Sequence, residues 1–99
     1  MNVYVVYRIG SGYGDGYFGT FKNREMAVEH QKSIQEKTDI KEFDIIPTHK
    51  NKVYVAIKYE SGDYFNFGGI FASRMTAKKN YLNVNDIIFD SEIIPSGGV

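Results

Sequence analysis

Val3-Tyr4-Val5-Val6-Tyr7-Arg8-Ile9 reads as a β-strand, and Val53-Tyr54-Val55-Ala56-Ile57-Lys58-Tyr59 reads as the same strand fifty residues later. Side chains alternate with period 2 in both. Val3, Val5, Tyr7 and Ile9 share one face of the first strand, and Tyr4, Val6 and Arg8 share the other. The recurrence continues outward from this pair. Ser11-Gly12 returns as Ser61-Gly62, Gly19-x-Phe21 as Gly69-x-Phe71, and Arg24-x-x-Ala27 as Arg74-x-x-Ala77. Ile45-Ile46-Pro47 returns as Ile93-Ile94-Pro95 at a spacing of 48, so the second copy is two residues shorter after Ala77. A period this long makes each copy one supersecondary unit that cannot bury its apolar face alone.

Between the anchors, each copy spells strand, strand, helix, strand. Gly10-Ser11-Gly12-Tyr13-Gly14-Asp15-Gly16 demands a turn or a mobile loop, and a strand at about 17–22 follows it. Asn23 is placed as an N-cap, Glu25 suits the helix dipole, and Ala27, Gln31 and Ile34 form the stripe of a helix running to about Lys37. Phe43, Ile45 and Ile46 make the third strand, limited by Pro47. In copy two a tight turn at Ser61-Gly62-Asp63 leads to a strand from Tyr64 to Phe71. Ser73 then caps a shorter helix carrying Ala77, Tyr81 and Val84, and Ile87 to Ile94 closes the unit.

These readings predict an α+β fold, a tandem ββαβ repeat with a mostly antiparallel sheet of about six strands and both helices on one face. Right-handed crossovers give the order second–first–third within each half. Pairing of the two third strands would hide two edges and create an approximate two-fold axis. Two packed sheets are the rival arrangement. The whole is one domain, residues 1–99, of repeats at about 1–50 and 51–96, with 97–99 a flexible tail.

Composition narrows the function. Twelve Lys and Arg balance twelve Asp and Glu, seven of each in residues 1–50 and five of each in 51–99. No net field attracts nucleic acid or an anionic membrane. There is no cysteine, hence no disulfide or thiolate chemistry. No apolar run approaches a membrane span, and no signal-type segment opens the chain, so a soluble cytoplasmic protein is expected.

Several motifs compete for function. Gly14-Asp15-Gly16-Tyr17-Phe18-Gly19 matches G-x-G-x-x-G, but it lies in a hairpin rather than between a parallel strand and a helix. Tyr13 and Tyr17 beside that loop, with Asp15 between them and Tyr64 at the opposing hairpin tip, suit an adaptable binding surface. Tyr4, Val6, Tyr54 and Ala56 are expected to face away from the helices, as a patch that a protein partner or a second copy covers. His30 and His49 lack companions at ligand spacing, and Glu42 with Asp44 suits a solvated edge, so no metal, cofactor or catalytic set is expected. Arg74, Lys78 and Lys79 share one side of the second helix, a weak case for nucleic acid.

Val3-Tyr4-Val5-Val6, Gly19-x-Phe21 and Arg24-x-x-Ala27 together resemble a unit of small uncharacterised proteins from low-GC Gram-positive bacteria and their phages. Here the unit is in tandem duplicate, with Val53–Ala56 and Gly69–Ala77 as the second copy. That resemblance implies a phage or mobile-element accessory protein, often an inhibitor of a host or defence enzyme, and carries no catalytic residues over. The reading is a non-enzymatic stoichiometric inhibitor of a bacterial protein, such as an anti-CRISPR. The alternative is a small-ligand, nucleotide-like binder with a pocket between the halves.

Overall fold

The computed structural model describes residues 1–95, so the expected tail at 97–99 lies outside the described residues. Strands β1 (Asn2–Arg8), β2 (Gly12–Tyr13) and β3 (Tyr17–Phe21) precede helix α1 (Arg24–Lys32) and strand β4 (Thr38–Asp44). Then come β5 (Lys52–Ser61), β6 (Tyr64–Phe71), α2 (Arg74–Asn80) and β7 (Ile87–Ile94). The fold is α+β, with one mixed sheet ordered β2-β6-β5-β7-β3-β1-β4.

Local chemistry explains the element ends. Asn23 caps α1 by accepting from the amides of Glu25 at 2.7 Å and Met26 at 3.4 Å, and Ser73 caps α2 by accepting from Thr76 at 3.2 Å. α1 stops at Lys32 rather than near Lys37, because Ser33 turns its hydroxyl back onto the His30 carbonyl at 2.7 Å. The third strand runs from Thr38 to Asp44, so Phe43 lies in it opposite Val3, whereas Ile45 and Ile46, expected there, lie beyond its end. α2 stops at Asn80, since Tyr81 leaves the helical region at φ −127°, ψ 88°. Val84 and Tyr81 thus lie past the helix that was to carry them. The following turn closes on Asp86, whose carboxylate accepts from the amides of Asn83 and Tyr59.

Within each group of three long strands the expected order holds: β3-β1-β4 and β6-β5-β7, each with antiparallel neighbours. The junction differs from expectation. β7 does not meet β4; it pairs in parallel with β3 through Thr20 with Ile93 and Phe21 with Ile94. The sheet is therefore mixed rather than nearly all antiparallel, and it curls. β1 and β6 stand four places apart, about 19 Å in a flat sheet, yet the Tyr7 and Phe67 rings are 5.1 Å apart.

Curling reverses the assignment of faces. Val3, Val5, Val53, Val55, Ile57, Ile70 and Ile93 pack inside the curl with Tyr17, Phe67 and Phe89. The helices lie on the outer face. Val6, Phe21 and Ala27 form a second cluster with Tyr4, Phe18 and Met26, and Ala56 is fully buried on the same side of the sheet. Tyr4, Val6, Tyr54 and Ala56 are therefore helix-side residues, not a free outer patch. β1 and β5 bury both faces, which is why their sequences read as almost unbroken apolar runs.

Candidate functional site

The loop after β1 is held by Arg8, a side chain only 8% exposed. A buried guanidinium is costly unless its donors are satisfied. Here Nη1 donates to the Tyr13 carbonyl at 2.6 Å, and Nη2 donates to Gly14 at 3.2 Å and to Phe65 at 2.9 Å. The Glu36 carboxylate lies 3.7 Å from Nη1 at the rim. The Arg8 amide also donates to the Gly16 carbonyl at 2.8 Å. A Cβ on Gly12 would lie 2.9 Å from the guanidinium carbon, and one on Gly16 would lie 3.2 Å from Nη2. These two glycines let the chain wrap a cation.

Of the turn or mobile loop expected here, the structure shows an anchored turn. Gly12 and Tyr13 form the short β2 and pair with Phe65 and Tyr64 of β6. Asp15 accepts from the Tyr17 amide at 2.9 Å, an Asx-turn that directs the chain into β3. The pairing places Tyr13 beside Tyr64, with ring centroids 4.7 Å apart at a tilt of 41° and hydroxyls 3.3 Å apart. Tyr13 is 69% exposed and Tyr64 41%. The hydrogen bond to Tyr13 raises the Tyr64 phenol above its ordinary range.

The other proposed contact residues separate from this pair. Tyr17 points into the curl, between Phe67 at 6.1 Å and Phe89 at 5.8 Å. Its hydroxyl bonds Thr20 at 2.7 Å and Ser91 at 2.8 Å. Burial raises its pKa, against the opposing effect of the Ser91 and Thr20 hydrogen bonds. Tyr4 is half-buried beside the α1 cluster. Tyr54 is covered by the Arg74 guanidinium, 5.3 Å from the ring centre, and by the edge of His49. Tyr13, Asp15 and Tyr64 therefore share one surface, while Tyr17, Tyr4 and Tyr54 serve the packing.

Sequence reasoning did not single out Arg8. Its signal was present: an arginine in an apolar strand, followed at once by four glycines in seven residues, where the matching place in the second strand holds Lys58. Among the described residues no three His, Cys, Asp or Glu side chains converge as a metal site would require. His30 lies with its ring 5.2 Å from Phe21. Among the described residues no helix is long and apolar enough to cross a membrane. Neither a protein-family model, a curated protein nor a solved structure matches the chain.

Proposed function

We propose that this protein is a non-catalytic binding module that occupies a surface of a protein partner through the Tyr13–Tyr64 pair. The observation that carries the reading is the combination of exposure and rigidity. Two tyrosine rings stand in solvent, Tyr13 on a loop that a buried arginine and a two-residue strand hold in place, and Tyr64 at the start of β6 beside it. Pre-organised aromatics lose little conformational entropy on binding and dominate interface energetics. Asp15, exposed beside them and fixed by its own turn, supplies a polar rim.

The two halves are read as duplicated copies of one unit. Matching places support this: an extra residue bulges at Phe18 in one half and at Gly68 in the other. Ile45 donates to the Met1 carbonyl as Ile93 donates to that of Asn51, both at 2.8 Å. Duplication followed by divergence leaves the glycine loop and its arginine in the first half only. With the likeness to small phage and Gram-positive proteins, the proposed role is a stoichiometric inhibitor of a bacterial defence protein, working in the host cytoplasm in the manner of an anti-CRISPR.

Capture from a bacterial host lysate followed by titration tests the reading. Activity of the captured target should fall to a plateau near equimolar inhibitor. Multiple turnover at catalytic amounts of this protein would overturn it. A small metabolite retained through purification would transfer the assignment to ligand sequestration.

A further inference from the structure

α2 buries Ala77 completely and turns Met75, Lys78 and Lys79 outward, with Leu82 one turn beyond. Together with Arg74 these residues line an open groove of about 480 Å³. Met75 is 68% exposed and Leu82 82%. Every charged residue between Asp63 and Asp86 is basic, and all three are in this groove. None takes part in the ion pairs formed among the described residues. Arg74 is held by its stacking on Tyr54 and by donation to the Ile88 carbonyl at 3.3 Å.

The equivalent surface of α1 shows what an ordinary solvated helix face looks like in this protein. Glu25, Val28, Glu29 and Lys32 occupy the corresponding places, fifty residues earlier, and Lys32 pairs with Glu29 at 3.0 Å. Charges there alternate and cancel. On α2 the acids are gone, two of the places carry large apolar side chains, and the cations form no ion pair among the described residues.

We propose that the α2 groove docks an acidic amphipathic segment of a protein partner, independently of the Tyr13–Tyr64 surface. Met75 and Leu82 would receive its apolar stripe, as grooves receive amphipathic helices. Arg74, Lys78 and Lys79 would meet carboxylates on its flanks and steer its approach. A nucleic acid is a poorer match, because the groove has no exposed aromatic ring to stack a base.

Fluorescence anisotropy of the full chain tests this with a short labelled peptide helix carrying leucines at every third or fourth position and glutamates on both flanks. Saturable binding that weakens with added salt is expected. Lys78→Glu with Lys79→Glu should weaken it about tenfold or more, and Met75→Ser with Leu82→Ser by a similar factor. All four side chains are exposed, so the variants should keep the wild-type melting profile. Tyr13→Ala should leave peptide affinity unchanged. Absence of saturable binding overturns the proposal, as does equal affinity for the peptide with lysines in place of glutamates. Tighter binding of duplex DNA or of phosphatidylglycerol vesicles, or a dimer in sedimentation that Lys78→Glu dissolves, would reassign the groove.

Discussion

The Arg8 guanidinium donates to the main-chain carbonyl of Phe65 at 2.9 Å, joining two residues 57 apart in sequence. The same group holds the Tyr13 and Gly14 carbonyls, so one side chain ties the first strand, the glycine loop and β6 together. The placement of the tyrosine pair depends on it.

Arg8→Met should therefore destabilise the fold by about 2–4 kcal/mol, since it leaves the carbonyls of Gly10, Tyr13, Gly14 and Phe65 without their charged donor. Arg8→Lys should recover only part of this, because a single ammonium cannot span the carbonyls that the planar fork reaches. Urea unfolding measures the loss. Hydrogen exchange should show Tyr13 and its neighbours losing protection first.

Gly68→Ala should cost about 1–3 kcal/mol by overpacking. Its Cβ would meet the Tyr81 ring at 2.6 Å, and the residue's φ lies outside the left-handed region, so the effect is steric. In the other half the matching places hold Phe18 and Gln31. Gly68→Phe combined with Tyr81→Gln should recover most of the stability that Gly68→Phe alone loses. A double-mutant cycle with no coupling would count against the equivalence of the halves.

Tyr17→Phe should cost about 1–2 kcal/mol through the lost bonds to Thr20 and Ser91. The pH dependence carries a definite sign. Folding raises the Tyr17 pKa above 10.0, so above that pH the unfolded chain gives up this proton first. Stability is fully present below pH 10.0 and falls as pH rises through the folded pKa. Alkaline melts should show a shallower decline in Tyr17→Phe than in the wild type.

Tyr13→Ala with Tyr64→Ala should weaken partner binding by on the order of 2 kcal/mol if the pair is a central anchor. Fold stability should drop by only about 1 kcal/mol, the value of one exposed aromatic pair. His30→Gln and Glu42→Gln should leave inhibition unchanged, since neither is asked to move a proton. Calorimetry with the captured partner, beside thermal melts, separates the two effects.

Alternation in Val3–Ile9 and Val53–Tyr59, the caps Asn23 and Ser73, and the turn chemistry at Ser61-Gly62 are local properties, so the sequence by itself determined β1, β5, β6 and the helix starts, while the crossover rule supplied the order of the three long strands in each half. Tyr13 and Tyr64 were also legible, each at or beside a hairpin tip, as contact candidates alongside Tyr17. Three features belonged to the tertiary structure alone. Thr20 and Phe21 pair with Ile93 and Ile94 because the curled sheet must close on one shared interior, a constraint that no 50-residue unit contains. That closure decided which face of Tyr4 and Tyr54 meets a helix and turned Tyr17 inward, since period 2 separates two faces without saying what covers either. Arg8 became an anchor only when β6 arrived beside it, as the carbonyl it completes comes from the other half of the chain.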